Sequence, residues 1–361
     1  MIQLKDIGKF ETLPELAMHI HSGNVSALTG ALESGWDIEQ GIVLTKYTTL
    51  SPLELALISE QFEVVKLLVQ HGVHLNVKNN PSFLIAVRYC REDIVRCVVA
   101  HGAKMDALNQ VKSGAYDQAY YGNKKNLPLI YELGLDIKKH GGRTLRKAVS
   151  NRDYKTIAFF LERGTDINFN EPDMVYPYKA TPLTVAARNG DLSMVKYLVE
   201  HGADVTIAEK GGERAYTIAV SNNHPEMAEY LKSLEPPEFH NLHNKLYALE
   251  SYKLPKDLIA FLTGDELRIS LPDNDVQVNY VQFFSLTDTV EMKAGRQKLL
   301  VLSSEMDNYS HIRLVWNPKK KCIGYYDEEH QEYADVCSFA EFVAQPEVYI
   351  VKIFEGELAS D

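Results

Sequence analysis

The stretch that decides the fold is Thr181-Pro182-Leu183-Thr184-Val185-Ala186-Ala187-Arg188-Asn189-Gly190-Asp191-Leu192-Ser193-Met194-Val195-Lys196-Tyr197-Leu198-Val199-Glu200-His201-Gly202-Ala203-Asp204-Val205. A second copy of the phrase opens at Ser51 as Ser-Pro-Leu-Glu-Leu-Ala and closes on His71-Gly72. Closing glycines recur at Gly35, Gly72, Gly102, Gly134, Gly164 and Gly202, spaced 37, 30, 32, 30 and 38 apart. A small residue stands sixteen positions before four of them, at Ala56, Ala86, Ala148 and Ala186. The pattern has a physical cause. A short first helix needs small residues where it packs closely on its partner. A second helix runs on an apolar stripe such as Val64, Val65, Leu67 and Leu68. The glycine supplies the left-handed residue that stops it. Each unit leaves an apolar face open, so neighbours must stack to bury it.

Over residues 13–234 this repeat resembles the ankyrin family, whose period is about 33 residues. Seven units are expected, the first and last degenerate. The first, near 13–40, has His19 in the alanine position, and the fourth, Tyr116 to Ile137, lacks the Thr-Pro-Leu opening. The resemblance implies an α-solenoid that binds other proteins. Two spacings are long because of extra residues at Gly41–Leu50 and Asn168–Ala180. Insertions there land in the hairpin fingers, where Phe169, Met174, Tyr176 and Tyr178 would be partly exposed as partner-binding anchors. A loop folded back over a neighbouring repeat is the alternative. Between Lys124 and Lys155, nine cations face three acids. That band either attracts an acidic partner or is a solvated helix face.

Composition bounds the rest. The chain has 361 residues, 45% hydrophobic and 24% charged, with net charge −11. That is enough apolar material for two or three packed domains, which excludes wholesale disorder. The acidic balance argues against direct nucleic-acid binding, which needs Lys and Arg to replace counterions. The start, Met1 to Phe10, carries Lys5, Asp6 and Lys9 and reads as neither signal peptide nor membrane helix. The cysteines, Cys90, Cys97, Cys322 and Cys337, form no CxxC pair, which fits a reducing, cytoplasmic location.

Periodicity stops at Leu234-Glu235-Pro236-Pro237-Glu238, where two prolines cannot continue a helix. The reading is therefore a solenoid over 1–236 and a smaller α+β domain with a mainly antiparallel sheet over 237–361. Residues 240–262 read helical, broken at Leu254-Pro255. Strand patterns follow at Val276–Phe284, Leu299–Leu302, His311–Trp316 and Lys321–Tyr326, with a turn at Asn317–Lys320. Ser338 to Val343 reads as an N-capped helix, and Val348 to Phe354 as a last strand.

The helix ending Ala260-Phe261-Leu262, the run Ile323-Gly324-Tyr325-Tyr326-Asp327 and the closing Ser338-Phe339-Ala340-Glu341-Phe342 resemble the SUKH superfamily over roughly 245–345. It departs from that family at Thr263-Gly264-Asp265-Glu266, where Asn-Gly is expected. In bacteria such domains act as immunity proteins, so the resemblance implies a protein that binds and blocks a cognate toxin. Charge agrees. Residues 241–361 hold 12 basic and 20 acidic residues, against 26 and 29 before them. Asp327, Glu328, Glu329, Glu332 and Asp335 crowd into nine positions, a surface that either steers a basic partner, such as a nuclease-type toxin, or merely gives solubility.

No catalytic or cofactor motif is present: no GxGxxG, Walker-type loop, HExxH or GxSxG. His240 and His243 lack further metal ligands nearby, and Asp273-Asn274-Asp275 lacks the rest of a calcium loop. His71, His101 and His201 read as helix-end residues. The leading expectation is a non-enzymatic immunity protein without cofactor, metal or membrane. A general ankyrin scaffold or regulator is the alternative.

Overall fold

The computed structural model describes residues 13–272 and 274–356. The reading of Met1–Phe10 and the Asp273 of the Asp273-Asn274-Asp275 trio lie outside the described residues. The chain falls into two compact units. One runs to Ala148 and adds Tyr154–Asp166; the other holds Val149–Asp153 and the chain from Ile167 onward.

The first unit is a series of helix pairs. They are α1 (Glu15–Ser22) with α2 (Val25–Glu33), α3 (Pro52–Ile58) with α4 (Phe62–Gln70), α5 (Ser82–Tyr89) with α6 (Glu92–Ala100), and α7 (Ala115–Tyr121) with α8 (Asn126–Glu132). Between the first two pairs the Gly41–Leu50 insertion forms a hairpin of β1 (Ile42–Thr45) and β2 (Thr48–Leu50). A short α9 (Ile137–His140) precedes α10 (Gly142–Ser150) and α11 (Tyr154–Leu161), the fifth pair. The second unit continues with α12 (Pro182–Arg188) and α13 (Leu192–Glu200), then α14 (Ala215–Ser221) and α15 (Pro225–Leu234). Seven pairs result among the described residues, as the spacing predicts.

The repeated phrase has a separate reason at each position. Ser51 and Thr181 cap α3 and α12. Each side-chain oxygen accepts the N–H of the residue three on, at 3.1 Å from Glu54 N and 3.1 Å from Thr184 N. Pro52 and Pro182 then occupy a first turn that needs no donor. Ala56, Ala86, Ala148 and Ala186 are buried, so the first helices pack closely. The imidazoles of His71, His101 and His201 reach back with Nδ1 to the carbonyls of Leu67, Cys97 and Tyr197, at 2.9, 2.8 and 2.7 Å. Each adds a second contact to a carbonyl that already accepts the same histidine's backbone N–H at 3.2 Å, tightening the last turn of the helix. The six closing glycines all have φ between 81° and 96°. At Gly72, Gly102 and Gly202 a Cβ would meet nothing within 4 Å, so conformation rather than space demands glycine.

The fourth repeat substitutes polar chemistry for the missing opening. Gly114 N–H donates to Asp117 Oδ2 at 3.2 Å, and Thr144 Oγ1 donates to Asp117 Oδ1 at 2.7 Å. Asn126 donates to the carbonyls of Val87 and Cys90, both at 2.9 Å, clamping its turn onto the preceding repeat. Cys90 is itself buried, with Sγ 3.1 Å from the Leu57 carbonyl, and burial pushes its thiol pKa upward.

After α15 a 3-10 turn (Pro237–His240) leads to α16 (Leu242–Ala248), a second such turn, and α17 (Lys256–Leu262). Eight strands follow: β3 (Arg268–Ser270), β4 (Tyr280–Phe283), β5 (Val290–Ala294), β6 (Gln297–Val301), β7 (Ser303–Met306), β8 (Ile312–Asn317), β9 (Cys322–Asp327) and β10 (Glu332–Cys337). They build an antiparallel five-stranded sheet of order β10-β9-β8-β6-β5 and a three-stranded one of order β3-β4-β7. One core joins Tyr252, Leu258, Phe283, Leu314, Trp316 and Phe342. A second cluster, of Phe284, Val290, Leu299, Val301, Val315 and Tyr326, takes in Val220 of α14. The five-stranded sheet therefore buries two faces, one of them against the last repeat.

Two sequence expectations need correction. Residues 276–279 do not pair as strand. Asn274 bonds Leu271 O, Val278 O and Val278 N from its side chain and holds them as a loop, with Gln277 at φ 59°. Val348–Phe354 is helical. After α18 (Phe339–Ala344), capped by Ser338 and Glu341, comes α19 (Pro346–Glu355). Pro346 starts it, left-handed Gly356 ends it, and Ile350 and Ile353 bury one face at three-residue spacing.

Candidate interaction surfaces

The 168–180 loop stands on a fixed base. Asn168 Oδ1 accepts the N–H of Asp204 at 2.9 Å, as Asn76 Oδ1 accepts that of Lys104 at 2.7 Å in an earlier repeat. Asp173 Oδ1 turns the tip by accepting from Val175 N and Tyr176 N, each at 2.8 Å. Tyr178 is seated rather than displayed. Its ring carries the Arg188 guanidinium at 5.2 Å, and its carbonyl accepts the Lys210 N–H at 2.8 Å. Arg188 in turn pairs with buried Glu209 at 2.7 Å. Burial outweighs that partner and holds the Glu209 pKa above the ordinary carboxylate value. Tyr176 and Phe169 are half-buried, Tyr176 meeting Tyr178 edge to face at 6.2 Å. What the tip presents is Met174, 75% exposed, and Val175, 57% exposed. Val175 was not legible beforehand, since a lone valine in an insertion carries no anchor signal.

The acidic cluster lies on the β9–β10 hairpin, where Asp327 sits directly opposite Glu332 in register. Like charges in that relation destabilise a ladder. Asp327 is, however, consumed by its own turn. It accepts from Glu329 N at 2.8 Å, from His330 N at 3.0 Å and from the His330 ring at 2.8 Å. Burial works against its charge, yet these bonds hold its pKa below the usual value, and they raise that of exposed His330. Glu328 pairs with Arg313 at 3.0 Å. Asp335 points to the other face of β10. There it accepts from Asn317 Nδ2 at 2.7 Å, from the Tyr333 hydroxyl and from Cys322 Sγ at 3.2 Å. Among the described residues, Glu329 and Glu332 are the exposed acids of this group with neither an ion pair nor a side-chain hydrogen bond, since exposed Asp335 is held by Asn317, Tyr333 and Cys322. The five acids are thus divided in role, and they occupy a different element from the 168–180 loop.

A third concentration of polar groups was not anticipated. It joins the last repeat to the sheet. Arg214 binds Glu235 through two bonds of 2.8 and 3.1 Å, and His240 Nε2 lies 2.9 Å from the same carboxylate. Tyr216 donates to Asp288 at 3.0 Å and packs edge to face on His240 at 4.7 Å. Lys245 Nζ donates to the Thr289 carbonyl at 2.6 Å, and burial lowers its pKa to about 8, with Arg214 adding to the effect. Gly212 comes so close that a Cβ would strike the Glu291 carbonyl. The proline pair read as a boundary, and nothing in the flanking residues told that Glu235 would be buried beside it.

Comparison with known proteins decides the family. Residues 145–239 match the family described as "Ankyrin repeats (3 copies)", and residues 50–80 match "Ankyrin repeat". The Notch-regulated ankyrin repeat-containing protein of Xenopus laevis is 33% identical over 100 residues, which are 28% of this chain and 87% of that protein. This chain belongs to the ankyrin-repeat family. Putative ankyrin repeat protein FPV022 of fowlpox virus is 31% identical over 142 residues, 38% of this chain and 22% of that one. The chain spans about half, 55%, of putative ankyrin repeat protein R598 of Acanthamoeba polyphaga mimivirus, at 23% identity. The crystal structure of the human ASB11 ankyrin repeat domain aligns with a TM-score of 0.46 at 19% identity, covering 62% of this chain and 99% of that one.

Ankyrin repeats are a scaffold for protein–protein interaction, so exposed groups on rigid bases matter more here than clefts. Among the described residues no group of three His, Cys, Asp or Glu is placed to hold a metal, and no helix is long and apolar enough to cross a membrane.

Proposed function

We propose that this ankyrin-repeat chain is a non-enzymatic, cytoplasmic binding protein whose contact with its partner is centred on the tip of the 168–180 loop. The observation that carries it is the exposure of Met174 and Val175 above the fixed base of Tyr178, Arg188 and Lys210. Exposed apolar side chains on an ordered loop lose little entropy on binding, which favours an interface. In this reading the solenoid spans 1–236 and the α+β domain 237–361, and Phe169, Tyr176 and Tyr178 shape the loop rather than supply its contact. The test is affinity purification with the wild-type chain and with the Met174→Glu, Val175→Glu double variant. Unchanged recovery of every partner by the variant would move the interface elsewhere.

A narrower reading is an immunity protein that blocks a basic toxin. It is supported by the resemblance of 245–345 to SUKH domains and by the unpaired Glu329 and Glu332 on the hairpin. Co-expression with toxin genes encoded nearby separates the two: an immunity protein rescues growth and recovers one tight partner, a scaffold recovers several and rescues none.

A further inference from the structure

The nine cations between Lys124 and Lys155 do not form one continuous surface. Arg146 is fully buried, and Arg143 is tied to Asp117 at 3.9 Å and to the Lys112 carbonyl. Of the exposed remainder, Lys138 and Lys139 stand on α9 and Arg152 pairs with Asp191 at 2.7 Å, while Lys124, Lys125 and Lys155 gather where the first helix of a repeat turns into the second. Lys124 and Lys125 stand in the turn before α8, and Lys155 begins α11. Lys124 lies over the Tyr120 ring at 4.2 Å, and Lys147 of α10 approaches the Tyr121 ring at 6.0 Å, which brings repeats four and five together at this edge. Tyr121 is 52% exposed. Among the described residues no carboxylate pairs with Lys125, Lys147 or Lys155.

We propose that this turn edge of repeats four and five docks the acidic β9–β10 hairpin of a second copy of the chain. Two properties choose the occupant. The net charge of −11 disfavours a nucleic-acid backbone, and one face of the Tyr120 ring is already taken by the Lys124 ammonium group. The ammonium groups instead present N–H donors, which carboxylates accept. The chain itself carries a matching surface, with Glu329 and Glu332 exposed and unpaired in a region of 12 basic and 20 acidic residues. Such contacts join unlike patches, so each copy offers both halves of the interface.

The experiment is sedimentation equilibrium of the full chain between about 25 mM and about 500 mM NaCl, a range over which the screening length falls several-fold. The wild type associates at low salt and dissociates at high salt. Lys125→Glu, Lys147→Glu, Lys155→Glu in one variant, and Glu329→Lys, Glu332→Lys in another, are each monomeric at low salt. An equimolar mixture of the two variants associates again, because each presents what the other's reversed patch requires. Circular dichroism confirms that both are folded. A wild type that is monomeric at low salt overturns the proposal, as does association that either variant retains. A mixture that stays monomeric overturns the pairing of these two surfaces.

Discussion

At the scale of the residue, single atoms explain why the repeated phrase is so constant. The closing glycines hold φ values that cost an L side chain about 1–2 kcal/mol, so Gly202→Ala is expected to lower stability by about that amount. Urea unfolding measures it as a reduced midpoint at unchanged slope. Lys245 gives a second residue-scale prediction. Its pKa in the fold is about 8, below the ordinary 10.5, so the unfolded chain binds more protons between those values. Stability therefore rises with pH from about 8 towards the unfolded value, and is lost again as pH falls through 8. The full span is worth at most about 3 kcal/mol. Cysteine and tyrosine groups raised by burial oppose it above pH 9, so the measurable quantity is the difference from Lys245→Met. That difference should shrink as pH rises from 7 to 9.5, and a constant difference would remove the role assigned to the charge.

At the scale of the element, the turn of the β9–β10 hairpin carries an internal ion pair between Asp327 and His330. The Asp327 bond raises the His330 pKa, so its stabilising effect is full below the unfolded imidazole value and fades as pH rises through the folded one. Proton NMR of the imidazole should show a titration above the ordinary value in the wild type and a return to it in Asp327→Asn. Elements also show what was legible. The helices of the repeats were readable because their caps, small residues and stripes recur, each copy confirming the last. Helix α19 was misread because Val348-Tyr349-Ile350-Val351 has the composition of a strand, while Pro346 and Gly356 mark the ends of a helix. Strands β3 and β7 carry one apolar residue each, Ile269 and Met306, and β5 and β10 bury only Val290 and Ala334, so no run of buried apolar residues marks them in the sequence. The acids at 327–335 were visible as composition. That Asp327, Glu328 and Asp335 would be spent on His330, Arg313 and Asn317 depends on register, which composition does not contain.

At the scale of the whole molecule, the second compact unit couples the last two repeats to the sheet. Val220 enters the sheet's second apolar cluster, Gly212 meets the Glu291 backbone, and Tyr216 bonds Asp288. A chain ending at residue 236 would leave these groups in water. In repeat proteins stability is roughly a sum of unit and interface terms, so the loss falls on the end that has lost its neighbour. Hydrogen exchange of the 1–236 chain should show amides of α14 and α15 exchanging faster than in the full chain, with those of α3 to α6 unchanged. Equal protection at both ends would mean that the seventh repeat stands without the sheet.

The same junction gives the stack a direction of growth. A repeat protein lengthens during evolution by duplicating a unit, and a new unit survives wherever both its neighbours offer the generic repeat surface. Between the second and third repeats, where α3 and α5 bury apolar residues along most of their length, that surface is available on each side. After α15 it is not, because Gly212, Tyr216 and Val220 are fitted to strands rather than to another helix pair. An extra unit inserted there would face a sheet it does not match and would strip the seventh repeat of the one it does. Lineages of this chain should therefore differ in repeat number towards the beginning, while the pairing of the final repeat with its sheet passes on as an indivisible module.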